Sequence, residues 1–299
     1  MSKFYKETDY IQEYKDRVVV IKCGGETLND VDVVDNVINQ ARYLNQHGVR
    51  VVLVHGGGNQ ISQRCKEENV LIEKRGGERY TSPEVMNIVD KVMEALNKAL
   101  VNRFNEDAEG TGALAEGIKA TDFMLMEKQP DKGLTGEPTR VYAPALNHIL
   151  DQGMVAIVNP VSVTELGEIV NVNADSTAGA IARELKAKRA VFCTARSGVL
   201  DKDQNVISTI TPPQLCALIE DGTITDGMVK KVRESSALLG DVDGVAILGS
   251  ADTDSILREL YGEGAGTLLE LESGLEQSVQ ANMVKSLAVC APGTGPKPS

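Results

Sequence analysis

Two short β-branched runs, each stopped by glycines and separated by one helical stretch, constrain this chain more than any other feature. Arg17-Val18-Val19-Val20-Ile21 runs into Lys22-Cys23-Gly24-Gly25, and Val51-Val52-Leu53-Val54 runs into His55-Gly56-Gly57-Gly58. Apolar runs without alternation read as strands buried on both faces, the habit of parallel sheets. Between them, residues 31–46 place Val34, Ile38, Ala41 and Leu44 on one stripe, with Gly48 as the stop. Strand, helix and strand joined by such short loops make a βαβ unit, so the chain is expected to be α/β.

The rest of the chain continues the pattern. Residues 83–104 predict a long helix with Pro83 in its first turn. Residues 105–140, rich in Gly, Asp, Glu and Thr around Met124-Leu125-Met126, read as short strands and loops. Val155-Ala156-Ile157-Val158 is a strand ended by Asn159-Pro160. Ile169-Val170-Asn171-Val172-Asn173-Ala174-Asp175 leads into a helix over 176–186, followed by the strand Ala190–Cys193. A second α/β series then predicts helices at Pro212–Ile219, Met228–Leu239 and Asp254–Leu260, a strand at Gly244–Leu248 and a closing segment at Gly266–Leu269. Beyond residue 270 a helical stretch near Gln277–Ala288 and a Gly/Pro-rich end expected to be disordered complete the chain. Two lobes sharing one continuous sheet, with a seam near residue 188, is the simplest architecture.

Composition removes several classes of function. The 299 residues suffice for one large α/β unit or two lobes, each burying a core. A formal charge of −12 opposes general nucleic-acid binding, which needs clustered Lys and Arg. It leaves nucleotide binding open, since a few lysines and backbone N–H groups hold a triphosphate inside an acidic protein. No run approaches the ~18 apolar residues of a membrane span. The polar start Met-Ser-Lys-Phe-Tyr-Lys-Glu does not read as a secretory signal. Five scattered cysteines, odd in number and without metal-ligand spacing, are expected to be reduced thiols in a cytoplasmic protein.

The glycine turns carry the chemistry. Lys22-x-Gly24-Gly25 lies where a parallel strand ends, the usual ligand position of α/β folds. Glycines there bring backbone N–H groups close to an anion, and the lysine adds a point charge. Either motif alone reads better as a tight turn, since glycines after strands are common; two on adjacent strand ends favour an anion site. There is no Gly-x4-Gly-Lys-Ser/Thr and no Gly-x-Gly-x-x-Gly after a strand, so neither a P-loop nor a dinucleotide site is supported. Asn171, Asn173 and Asp175 alternate onto one side of a segment that enters a helix. One of them suffices as an N-cap, and three suggest ligand contacts as well. Gly227-Met228-x-x-Lys231, after Thr225-Asp226, opens another helix; by itself a lysine one turn in is usually solvated. No carboxylate cluster of metal-ligand type stands out, so no protein-held metal is expected.

Taken in order, the motifs Val-Ile-Lys22-Cys-Gly-Gly25, Val-His-Gly-Gly-Gly58, Arg79-Tyr-Thr81, Asn171-Val-Asn-Ala-Asp175, Gly198-Val-Leu-Asp201, Ile224-Thr-Asp-Gly-Met228-x-x-Lys231 and Gly264-Ala-Gly-Thr267 resemble the acetylglutamate kinase branch of the amino-acid kinase family. The resemblance covers about residues 10–269. It implies a three-layer αβα sandwich around a mainly parallel sheet, with an acceptor-binding and dimerising N-lobe (1–187), an ATP-binding C-lobe (188–270) and a tail of unassigned role (271–299). It implies transfer of the ATP γ-phosphoryl group to the γ-carboxylate of N-acetyl-L-glutamate, with Mg²⁺ arriving on ATP, on the route to arginine. Carried over residue by residue, Lys22 and Lys231 would neutralise the transferring phosphoryl and the leaving β-phosphate, and Asp175 would hold both lysines. Gly24, Gly25 and Gly57 would supply backbone donors to the same group. Gly57, Gly58, Arg79, Asn171 and Asn173 would bind the acceptor, Arg79 through its α-carboxylate. Gly24, Gly25, Thr194, Gly198, Val199, Leu200, Asp226, Gly227 and Met228 would form the nucleotide side. A homodimer through the N-lobe is expected, with a hexamer as the larger option.

The sequence departs from the family pattern at Ala195-Arg196, where the family usually has an aspartate after the threonine. Two other readings stay open at this stage. One is a family member with another carboxylate acceptor, such as aminoadipate or aspartate. The other is a non-catalytic regulatory homologue, for which Ala195 and Arg196 are the only support.

Overall fold

A computed structural model describes residues 11–75, 78–106, 110 and 112–271. The first expected unit is present: β1 (Val18–Cys23), α1 (Val31–Gln46) and β2 (Arg50–His55), the two strands pairing in parallel with Cys23 opposite His55. Asp30 starts α1 by accepting hydrogen bonds from the backbone N–H groups of Asp32 and Val33, and Gly48 ends it at φ +81°. The chain continues through α2 (Gly58–Glu67), the two-residue strands β3 (Lys74–Arg75) and β4 (Glu78–Arg79), and α3 (Pro83–Asn105). Next come β5 (Ala115–Lys119), β6 (Met124–Lys128), β7 (Thr135–Val141), α4 (Ala143–Asp151), β8 (Val155–Asn159), β9 (Ser162–Thr164) and β10 (Ile169–Val172). The second series is α5 (Ala174–Glu184), β11 (Arg189–Thr194), β12 (Thr209–Ile210), α6 (Pro212–Glu220), α7 (Asp226–Ser236), β13 (Val245–Gly249), α8 (Ser255–Leu260) and β14 (Gly266–Leu269).

Eight strands form one sheet in the order β12-β14-β13-β11-β1-β2-β8-β5, parallel throughout except for β13 against β14. Four short strands, β10, β7, β6 and β9, close on themselves beside it. The pleat sorts each central strand onto two cores. Val18 and Val20 of β1, with Val52 and Val54 of β2, face a core completed by Ile181 of α5, Leu146 of α4 and Leu215 of α6. Val19 and Ile21, with Val51 and Leu53, face the opposite core under α1, the end of α3 and α8. That is the expected three-layer αβα sandwich, and it explains why these strands carry no alternation. A third, smaller core joins Ile61 and Cys65 of α2 to Val85, Val89 and Met93 of α3.

Two helices, α2 and α4, lie where the sequence pattern predicts none. In α2 only Ile61 and Cys65 are buried, too sparse a stripe to register as a period. Among the cysteines, Cys23, Cys65 and Cys193 are buried free thiols. The helical stretch expected near 277–288 lies outside the described residues. Among the described residues, no helix is long and apolar enough to cross a membrane.

Candidate active site

The parallel registers bring three strand ends level. Cys23 of β1 lies opposite His55 of β2 on one side and Cys193 of β11 on the other, so Gly24, Gly56 and Thr194 share one rim of the sheet. The two glycine turns abut there. A Cβ on Gly25 would stand 2.8 Å from the Gly58 backbone nitrogen and 3.2 Å from that of Asn59, so only hydrogen fits. Gln60 ties the turns together, its Nε2 donating to the Gly25 carbonyl at 2.9 Å and to Asn29 Oδ1 at 2.8 Å. A Cβ on Gly57 would run into the Met93 sulfur and come within 2.9 Å of Leu96.

Two ammonium groups from distant parts of the chain converge on this rim. Lys22 Nζ lies 2.7 Å from Asp175 Oδ1, and Lys231 Nζ lies 3.7 Å from Asp175 Oδ2. Lys22 is the next-to-last residue of a buried strand and its side chain is 9% exposed, while Asp175 in the first turn of α5 is 14% exposed. Removing a carboxylate from water favours its neutral form, yet the two lysine charges more than offset that burial and hold Asp175 below its ordinary pKa. Burial, with the nearby Lys22 charge, lowers Lys231 against the opposing pull of Asp175. The result is a carboxylate that fixes two cations side by side. Cys23, next to Lys22, is held as a thiol: its hydrogen bond with Cys193 and its burial both push its pKa well up.

Three cavities, each sharing lining residues with the next, extend from this cluster. The first, about 270 Å³, is lined by Lys22, Gly24, Gly25, Gly57, Gly58, Arg79, Asn171 and Asn173, with Ile61, Met93 and Val172 as its apolar wall. Arg79 is clamped by its own Nη2, which donates to the Gly58 carbonyl at 2.9 Å and to Ser62 Oγ at 2.8 Å. Asn171 donates from Nδ2 to Thr81 Oγ1 at 3.2 Å. Asn173 fills the modest role open to it, since its Oδ1 caps α5 by accepting from the Asp175 backbone N–H at 2.9 Å.

The second cavity, about 540 Å³, shares Lys22, Gly24, Gly25 and Gly58 with the first and adds Thr194, Arg196, Gly227, Met228 and Lys231. Two helices begin at it, α2 at Gly58 and α7 at Asp226, and among the described residues neither N-cap, Gly57 or Thr225, makes a side-chain capping hydrogen bond. Uncapped N-termini leave backbone N–H groups and the positive end of the helix dipole directed at whatever fills the cavity. The third cavity, about 370 Å³, is lined by Arg196, Gly198, Val199, Leu200, Gly227 and Met228. A Cβ on Gly198 would come within 2.8 Å of Thr267 Oγ1, and that hydroxyl accepts from the Val199 N–H at 2.8 Å, which pins the loop. Asp226 is the first residue of α7; its side chain is not described.

Apart from Asp226, the expected site residues line these three cavities or, in the case of Asp175, hold the lysines that do. Sequence reasoning missed three contributors. Thr81, fully buried, braces Asn171 and also Thr135; Gln60 bridges the turns; Met93 fills the space a side chain at Gly57 would take. The sequence holds a signal only for Thr81, which stands in the Arg79-Tyr-Thr81 motif.

A sequence model of the amino acid kinase family matches residues 17–246. The chain belongs to this family. Among its members, a protein named acetylglutamate kinase from Chelativorans sp. (strain BNC1) is 36% identical over 275 residues, covering 87% of this chain and 93% of that protein. One of the same name from Agrobacterium fabrum is 34% identical over 274 residues, covering 87% and 93%. Of solved structures, the N-acetylglutamate synthase of Neisseria gonorrhoeae complexed with coenzyme A and L-arginine matches with a TM-score of 0.79 at 20% identity, over 91% of this chain; the chain spans 65% of that one. Carbamate kinase from Giardia lamblia bound to AMP-PNP matches with a TM-score of 0.64 at 16% identity, over 86% of this chain and 99% of that one. At these identities the two structures show the shared amino-acid kinase fold alone.

Proposed function

We propose that this chain transfers the γ-phosphoryl group of ATP to the γ-carboxylate of N-acetyl-L-glutamate, forming an acyl phosphate in arginine biosynthesis. Relatives named acetylglutamate kinase, 34–36% identical over 87% of the chain, support this enzyme. The observation that carries the mechanism is the shared lining of the first two cavities: Lys22, Gly24, Gly25 and Gly58 belong to both. An acceptor in the first cavity and a triphosphate in the second would meet at those residues.

The roles follow from charge and position. The acceptor carboxylate is already ionised near pH 7, so no general base is required. Phosphoryl transfer asks for in-line placement and for charge stabilisation where charge develops. Lys22 and Lys231, fixed 2.7 and 3.7 Å from opposite oxygens of Asp175, would supply that charge together with the N-termini of α2 and α7. Arg79 would pair with the acceptor's α-carboxylate, with its head oriented by Ser62 and the Gly58 carbonyl. Asn171 and the Gly57–Gly58 backbone would hold the remainder.

Mg²⁺ would be held by the phosphates and water. Among the residues lining the second cavity only Glu26 is a carboxylate, and the adjacent Asp175 is engaged by two lysines, which fits that arrangement. The lobe division is supported by the linings: the acceptor cavity draws on residues 22–174, the third cavity on 196–228. A cytoplasmic location and a homodimer through the N-lobe complete the proposal; light scattering giving a monomer mass would reject the dimer.

The test is ATP-dependent trapping of the acyl phosphate with hydroxylamine, run on N-acetylglutamate, aminoadipate and aspartate. Hydroxamate is expected with N-acetylglutamate foremost. No product from it beside good turnover of another acceptor would reject the assignment.

A further inference from the structure

Arg196 is a cation that the proposed mechanism does not use. It stands just past the end of β11 and lines both the second and the third cavity, which meet at Arg196, Gly227 and Met228. Its backbone is pinned on both sides by one hydroxyl: Thr194 Oγ1 donates to the Arg196 carbonyl at 2.6 Å and accepts from the Arg196 N–H at 3.1 Å. Its guanidinium, in contrast, has no ion-pair or hydrogen-bond partner among the described residues. It is also the one cationic side chain among the residues lining the third cavity; the carboxylate there, Asp201, is occupied by the backbone N–H groups of Asp203 and Asn205 within its own loop.

We propose that Arg196 grips the α-phosphate of the bound nucleotide, the phosphate nearest the ribose. The inference rests on the reading of the second cavity as the phosphate site and the third as the nucleoside site. A nucleotide spanning both has its phosphate chain anchored at Lys22 and Lys231 and its nucleoside beside Gly198–Leu200 and Thr223–Thr225. The group passing the junction is the α-phosphate, which carries charge but is remote from the bond being broken. A fixed backbone with an unengaged planar fork suits that task, because the guanidinium can take two phosphate oxygens without disturbing the loop. Gly227, at the start of α7, lies on the same junction and offers the helix N-terminus to the same oxygens.

The experiment compares ATP, AMP and adenosine on the unaltered chain, Arg196→Ala and Arg196→Lys, using KM for ATP and competition by AMP and adenosine against ATP. Arg196→Ala is expected to weaken ATP and AMP by the same factor, about tenfold for a charge-assisted bond at a partly solvated site. Adenosine binding and KM for N-acetylglutamate should stay within about twofold, and Arg196→Lys should recover part of the loss because it keeps the charge without the fork. If AMP binds the unaltered chain and Arg196→Ala equally well, the proposal is wrong while the nucleotide site stands. If AMP fails to compete at all while ATP turns over, the α-phosphate contributes nothing and the proposal is again wrong. Absence of ATP turnover in the unaltered chain would remove the nucleotide reading itself.

Discussion

His55 should make the fold acid-sensitive in a way that one substitution removes. The side chain is fully buried at the end of β2. Its Nδ1 lies 3.2 Å from the Gly56 carbonyl, and its Nε2 lies 3.2 Å from Asn97 Nδ2, which also donates to the Ile157 carbonyl at 2.9 Å. These partners assign the neutral tautomer: Nδ1–H donates to Gly56 and Nε2 accepts from Asn97. A proton on Nε2 would face another donor, and burial pushes the imidazole down to about 4. In the unfolded chain the same group titrates near ~6.5. The unfolded state therefore takes up a proton first as pH falls, so stability present above the unfolded value is lost towards the folded one. Linkage gives a loss of about 2 kcal/mol between about pH 7.5 and about pH 5, approaching about 3 kcal/mol near pH 4. His55→Gln keeps an amide oxygen opposite Asn97 and does not titrate. Urea unfolding of both proteins at the two pH values isolates the contribution, since the carboxylates are common to both. The stability gap between the unaltered protein and the His55→Gln variant should shift against the histidine by about 2 kcal/mol at the lower pH. Parallel pH dependences would refute the assigned tautomer and the burial argument together.

Other outcomes follow from the same geometry. Asp175→Asn removes the charge that keeps Lys231 protonated despite burial, so turnover should drop by about 10²-fold and its alkaline limb should move to lower pH; an unchanged pH profile would argue against the shared ion pair. Gly57→Ala would drive a methyl into Met93 and Leu96, and KM for N-acetylglutamate should rise more than KM for ATP; pairing it with Met93→Ala should restore part of the loss. Arg79→Lys keeps a charge but cannot both hold Ser62 and fork onto a carboxylate, so acceptor KM should rise by about tenfold or more with kcat less affected.

The central sheet is readable in the sequence because buried parallel strands announce themselves as β-branched runs. Val18–Ile21 and Val51–Val54 pack on both faces, as do Val155–Val158 of β8 and Val245–Leu248 of β13. Helix α1 is legible because its stripe and its Gly48 stop agree, and the structure adds Asp30 as its cap. Helix α2 is hidden, since it buries only Ile61 and Cys65 and spends its first turn beside the ligand rim, where Gly58, Asn59 and Gln60 serve the cavity rather than a core. The site follows the same division. Residues with a chemical signature, Lys22, Asp175, Lys231 and the glycine turns, can be named from motifs. Gln60 and Met93 act through packing and bracing between distant stretches of chain, and that information exists only after the strands have set their register.

Single-turnover formation of the acyl phosphate in Lys22→Ala, Lys231→Ala and the double variant tests the account most directly. Each single change should slow transfer by about 10²-fold or more with the fold intact, and the double variant should lose less than the product of the two, because both ammonium groups act on one phosphoryl group. Transfer at the unaltered rate in either single variant, or losses that multiply independently, would contradict it.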